Sequence, residues 1–106
     1  MLVRTLSRQV ITILENAKAE HITLLQVAQF TTFAEYIIIC SATSKKHTFA
    51  LSQHLKKKFK AKYKINIQGL DTLEWLIVDL LDIVVHIMLP GIRNFYQLEK
   101  IWYHNF

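Results

Sequence analysis

The segment from Trp75 to Met88, WLIVDLLDIVVHIM, alternates in a way that an amphipathic β-hairpin satisfies. Strands over Trp75 to Asp79 and Asp82 to Met88, joined at Leu80 and Leu81, send Leu76, Val78, Ile83, Val85 and Ile87 to one side. That side is wholly aliphatic. The other side carries Trp75, Ile77, Asp79, Asp82, Val84, His86 and Met88. A two-residue loop at Leu80 and Leu81 sets Asp79 opposite Asp82 and Trp75 opposite His86. Like charges set opposite each other weaken a sheet, so this face is arranged for something other than stability.

The chain has 106 residues, which predicts a single domain over residues 1–106. With 52% hydrophobic residues it has enough apolar material for a core, since a domain of this size buries roughly 65% of its unfolded surface. Thirteen Lys and Arg against eight Asp and Glu give a net charge of +5, which points to an acidic partner such as nucleic acid. The distribution is more informative than the total. Through Gln68 there are eleven basic and three acidic residues, whereas Gly69 onward has five acids against only Arg93 and Lys100. The segment that carries the hairpin is therefore the acidic part.

Cys40 is the sole cysteine, which excludes an intrachain disulfide and predicts a reducing, cytoplasmic setting. Its place in the apolar run Tyr36 to Cys40 reads as a buried structural thiol. The first ten residues lack the uninterrupted apolar core of a secretory signal, and Asp79, Asp82 and His86 break the longest apolar stretch. Neither export nor membrane spanning is expected.

Leu2, Leu6, Val10, Ile13, Leu14 and Ala17 follow the spacing of one face of a first helix. Ile22 to Val27 and Tyr36 to Cys40 read as strands, separated by a polar break at Thr31 to Glu35. Ser41 to Ser44 end the second strand, and Ser44 is placed to cap a second helix that runs to about Ala61 with Leu51, Leu55 and Phe59 inward. Ile65 and Ile67 alternate with polar residues up to Gly69 as a short third strand before the hairpin. Pro90 and Gly91 stop the hairpin, and a last helix from about Ile92 is expected to offer Phe95, Leu98 and Trp102 to the core. The predicted fold class is α/β, a mixed sheet of about five strands packed with three helices.

Five constellations carry chemistry that weighs against blander readings. Eight lysines lie between Lys45 and Lys64, six of them in KKKFKAKYK, a run able to bind RNA phosphates. A solvated helix face is the favoured alternative, because Phe59 and Tyr63 fit an inward stripe better than exposed stacking platforms. Asp79 and Asp82 are the close pair of carboxylates within the hairpin, but no phosphate loop accompanies them, and a spacing of three brings them together only across a turn. His21, His47, His54 and His104 show no zinc spacing, and on a strand His86 stands roughly 13 Å from Asp82, too far for an acid–base pair. Ser41, Ser44 and His47 resemble a nucleophile and base, yet a strand-end turn and a helix cap account for both serines. Arg93 and Tyr96, at helical spacing near the end of the chain, are residue types that dominate protein interfaces and join Trp75 and His86 in one candidate patch.

Taken in order, EYIIICSATSKKH (Glu35 to His47), the lone Gly69 before Trp75, WLIVDLLDIVVH (Trp75 to His86) and the pattern R-x-x-Y-x-L-E-x-x-W (Arg93 to Trp102) resemble the ribosomal silencing factor, or Iojap-like, family. The likeness spans nearly the whole chain. It implies a nucleotidyltransferase-like fold without established catalysis, and no metal or cofactor. It further implies binding to the large ribosomal subunit through that subunit's fourteenth protein, which blocks joining of the small subunit and represses translation when nutrients are scarce. Carried over, Trp75, Asp79, Asp82, His86, Arg93 and Tyr96 are the expected partner-binding residues, with a homodimer in the free state. An acidic, aromatic patch suits a basic ribosomal protein, and Lys56, Lys57, Lys58 and Lys60 are candidates for a peripheral contact with ribosomal RNA. Two alternatives stand beside this: a nucleotidyltransferase-like enzyme with Asp79 and Asp82 as metal ligands, and an RNA-binding module using the run from Lys56 to Lys64.

The sequence departs from the family at several positions. Leu81 takes the glycine place in the family's Asp-x-Gly-Asp turn, which is expected to remove a left-handed residue and reshape the loop. Gln26 and Glu35 stand where aspartate is usual, and Lys45 and Lys46 where polar and arginine residues are common.

Overall fold

Apolar residues at three-and-four spacing explain both long helices. The computed structural model describes residues 3–100, so the expectations for Leu2, Trp102 and His104 lie outside the described residues. Helix α1 (Val3–Asn16) buries Leu6, Val10 and Leu14. Helix α2 (Lys45–Phe59) buries Thr48, Leu51, Ser52, Leu55 and Phe59. Ser44 caps α2, its Oγ accepting the His47 backbone N–H at 3.1 Å, which satisfies one of the donors a helix start leaves unpaired. Among the described residues no helix is long and apolar enough to cross a membrane.

Among the described residues five strands form one mixed sheet: β1 (Glu20–Gln26), β2 (Tyr36–Ser41), β3 (Asn66–Gln68), β4 (Trp75–Asp79) and β5 (Ile83–Met88), in the spatial order β1-β2-β5-β4-β3. Only β2 and β5 run parallel; the other pairs are antiparallel. Both long helices cover one face, where Ile38, Cys40, Leu76, Val78, Leu80, Ile83, Val85 and Ile87 join α1 and α2 in the main core. The aliphatic side of the hairpin is thus wholly inside, each of its residues at 0% exposure. The opposite face has a smaller cluster, Leu25, Val27, Ala34, Ile39 and Met88, with Ile92 and Leu98 against it.

The hairpin register differs from the sequence expectation by two residues. Asp79 pairs with Val84, Ile77 with His86 and Trp75 with Met88. The loop is Leu81–Asp82, closed by the Leu80 N–H donating to the Ile83 carbonyl at 2.8 Å. Leu80 is fully buried and continues the aliphatic row of Leu76 and Val78, so burying it carries the strand one residue further. The same shift removes the expected opposition of Asp79 and Asp82. Because the slip is an even number of residues, every side chain keeps its predicted face.

The missing glycine does not remove the left-handed residue from the turn either. Leu81 itself adopts the left-handed conformation, φ +80°, and its N–H donates to Asp79 Oδ1 at 2.9 Å. Helix α3 (Pro90–Tyr96) is shorter than expected, starting with Pro90 in its first turn and ending at a left-handed Gln97. Phe95 is 79% exposed rather than in the core, because α3 buries no residue fully and turns Phe95 to solvent. Leu98 lies beyond the helix, packed on the smaller cluster.

Candidate functional site

The sheet face away from α1 and α2 is where the hairpin's polar and aromatic residues emerge. Alternation along β4 and β5 places Trp75, Ile77, Asp79, Val84, His86 and Met88 there. The parallel pairing of β2 with β5 sets Ile37 beside Val84 and Ile39 beside His86 on the same face. Helix α3 shields only one end of it. Met88 and Ile39 are buried, while Ile37, Ile77 and Val84 remain half-buried, and among the described residues no long helix packs above them.

At the covered end, the Trp75 indole N–H donates to His86 Nδ1 at 2.9 Å, with the rings 5.9 Å apart between centroids. Tyr96, 51% exposed, leans on Trp75 at a centroid distance of 4.9 Å and an interplanar angle of 48°. Phe95 packs edge-on against Tyr96 at 5.1 Å. Burial pushes the His86 imidazole down from 6.5 to about 4, so the ring is neutral at physiological pH. With Nδ1 accepting from the indole, the proton of the neutral ring sits on Nε2.

Arg93 does not belong to this exposed patch. Its guanidinium points into the protein: Nη1 donates to the His21 carbonyl at 2.5 Å and to Ser41 Oγ at 2.9 Å, and Nη2 donates to Thr23 Oγ1 at 2.9 Å. Nε lies 3.7 Å from the Glu99 carboxylate. A register shift in β1 between Glu20 and Thr23, where His21 has φ +50°, leaves the His21 carbonyl free for the arginine. Arg93 therefore fastens α3 to β1 and β2, and so holds Tyr96 in place over Trp75.

The other end of the face is acidic. Asp79 is half-buried and Asp82 exposed in the turn; on this strand Asp79 stands about 13 Å from Trp75. The expected site residues thus fall into three places: Trp75, His86 and Tyr96 in contact, Asp79 and Asp82 at the far end, and Arg93 beneath. Among the described residues no three His, Cys, Asp or Glu side chains converge as a metal site requires. Ile37, which with Val84 links the two ends, carries no signal that marks it in the sequence, since it looks like any other member of the apolar run Tyr36 to Cys40. Only its pairing with β5 reveals it.

Ser41, Ser44 and His47 have structural partners. His47 Nδ1 accepts from the Thr43 N–H at 3.0 Å and Nε2 lies 2.8 Å from the Ala17 carbonyl, so both ring nitrogens are engaged and Nε2 ties the start of α2 to the residue after α1. Ser44 is the cap already described, and Ser41 accepts from Arg93. Cys40 is fully buried, and burial pushes its thiol up to about 12 against the opposing charge of Arg93. The lysines at 56, 57, 58 and 60 are exposed on the helical side of the sheet, while Phe59 is buried and Tyr63 packs against the core with its ring 6.2 Å from that of Phe59.

The family model described as "Ribosomal silencing factor during starvation" matches residues 3–105. A ribosomal silencing factor of Zymomonas mobilis is 33% identical over 91 residues, covering 84% of this chain and 68% of that protein. The mouse protein named "Mitochondrial assembly of ribosomal large subunit protein 1" is 34% identical over 97 residues, covering 87% of this chain but only 42% of its own length. A crystal structure of a Chromobacterium violaceum protein superposes with a TM-score of 0.92 at 32% identity, covering 96% of this chain and 87% of that one.

Proposed function

We infer the protein's action from its kinship: the chain belongs to the ribosomal silencing factor family, and we propose that it represses translation by occupying the large ribosomal subunit where the small subunit must dock. The partner is the large subunit's fourteenth protein, and the action is steric, so no bond is made or broken. What carries the reading is the sheet face beside α3 that, among the described residues, no long helix covers. There, half-buried Ile37, Ile77 and Val84 lie between an aromatic end at Trp75 and Tyr96 and an acidic end at Asp79 and Asp82. Interfaces of standard size cover about 800 Å² per partner and combine an apolar centre with aromatic anchors and a polar rim. Carboxylates at one end suit a basic ribosomal protein by charge complementarity.

In this reading Trp75, His86 and Tyr96 contact the partner, Asp79 and Asp82 steer it, and Arg93 acts by holding α3. The neutral His86 offers its Nε2 proton to an acceptor on the partner. Lys56, Lys57, Lys58 and Lys60 lie on the other side of the sheet from this face. Any ribosomal RNA they meet therefore approaches from a different side than the protein partner does. A homodimer in the free state, formed through the same open face, keeps its apolar residues from water, and the protein works in the cytoplasm.

The deciding experiment is sedimentation of the purified protein with isolated large and small subunits, together with an assay of subunit joining. The expected result is association with large subunits alone and a reduced yield of joined ribosomes. Association with small subunits only, or unimpaired joining with the protein in excess, overturns the proposal.

A further inference from the structure

We propose that Phe33 and Leu81 form an apolar tip with which this chain grips a basic protein of the large ribosomal subunit, an extension of the docking face that rests on the function proposed above. Phe33 is 88% exposed and Leu81 70% exposed. They sit on two loops at the same end of the sheet, because β2 and β5 run parallel and begin side by side with Tyr36 next to Ile83. The loops are fastened together. The Glu35 and Tyr36 N–H groups donate to the Asp82 carbonyl at 2.8 and 3.3 Å, and the Val27 N–H donates to the Glu35 carbonyl at 2.9 Å. The tip is therefore presented as a unit rather than as two independent loops.

Neither side chain serves the fold. Both stand outside the two core clusters, and Leu81 holds φ +80°, a conformation unfavourable for a residue with a Cβ and favourable for glycine. An exposed leucine at a position that suits glycine better has its use outside the folded chain. Around the two apolar side chains stand Glu35 and Asp82, exposed, and Asp79, half-buried. Among the described residues none of these three carboxylates is in a salt bridge. Apolar anchors ringed by charge are the arrangement of an interface centre and its rim. The sign of the ring selects the occupant: carboxylates repel RNA phosphates and attract lysine and arginine. Asp79 also belongs to the open sheet face, so tip and face are continuous.

The test compares wild type with Leu81→Gly and Phe33→Ser by sedimentation with isolated large subunits, alongside thermal unfolding of each variant. Leu81→Gly is expected to unfold no earlier than wild type yet bind at least about tenfold more weakly, and Phe33→Ser is expected to weaken binding to a similar degree. Retained folding with lost affinity separates docking from stability. If wild type sediments with large subunits and both variants do so equally well, the tip proposal is overturned while the functional reading stands. If wild type itself does not sediment with large subunits, both fall. A change in the oligomeric state of free Leu81→Gly with unaltered subunit binding assigns the tip to a second copy of the chain and also overturns the proposal. So does photocrosslinking from position 81 to ribosomal RNA instead of protein.

Discussion

The Trp75 indole N–H reaches His86 Nδ1 at 2.9 Å along a diagonal of the hairpin, since the register places Ile77 opposite His86 and Met88 opposite Trp75. The bond requires Nδ1 to be unprotonated, which couples the aromatic end of the proposed docking face to the charge on one imidazole.

His86 titrates near 6.5 in the unfolded chain and near 4 in the folded protein, owing to burial. The folded value lies below the unfolded one, so the unfolded state binds the extra proton and stability is lost as pH falls from about 6.5 toward 4. Between pH 7 and pH 5 the loss from this group is about 2 kcal/mol. Urea denaturation at the two pH values checks it. His86→Gln, which has no such proton to gain, is expected to remove most of the difference; an unchanged difference in that variant would show that another group is responsible.

Truncation of either ring of the aromatic pair is expected to weaken attachment to the large subunit, Trp75→Ala and Tyr96→Ala each by about 2 kcal/mol or more. Because the rings touch at 4.9 Å, the double variant should lose less than the sum of the two. Titration of large subunits by sedimentation measures all three. Full inhibition of subunit joining by the double variant would remove the patch from the mechanism.

Arg93→Ala leaves the Thr23 and Ser41 hydroxyls and the His21 carbonyl without their shared donor, a loss of about 2–3 kcal/mol for bonds to a charged group. Arg93→Lys should not restore it, since one ammonium cannot reproduce the planar fork. Detachment of α3 also takes Tyr96 from Trp75. The expected signature is therefore a lower midpoint in thermal unfolding together with a change in Trp75 fluorescence under native conditions, in both variants.

Gly69 holds φ +95°, and a Cβ added there would collide with the Trp75 carbonyl oxygen. Gly69→Ala must push β4 away at its first residue, with an expected loss of about 3 kcal/mol or more. Gly91 is the internal control: a Cβ added there meets nothing within 4 Å, and alanine in helix α3 should raise stability by up to about 1 kcal/mol. Chemical denaturation of the two variants tests the contrast, and equal effects would contradict it.

Most of the fold is legible in local patterns. The stripes of Leu6, Val10 and Leu14 and of Leu51, Leu55 and Phe59, the cap at Ser44, and the two sides of the hairpin all repeat within a few residues. Burial then follows the period. The aliphatic row of Leu76, Val78, Ile83, Val85 and Ile87 is found inside, as the alternation predicts. The turn between those strands is less legible, because alternation alone permits any even shift of register. Burial of Leu80 beneath the helices chooses among them.

Residue order thus dictates which side chains share a side of each element, because that depends only on backbone period. Which elements meet is settled by packing. It set β2 parallel to β5, bringing Ile37 beside Val84, and it left Ile37, Ile77 and Val84, on the face away from α1 and α2, only half-buried. It also turned Arg93 from an apparent surface contact into an internal fastener, through partners 52, 70 and 72 residues away in the chain. No short-range pattern encodes such contacts, since they arise only once distant segments have come together.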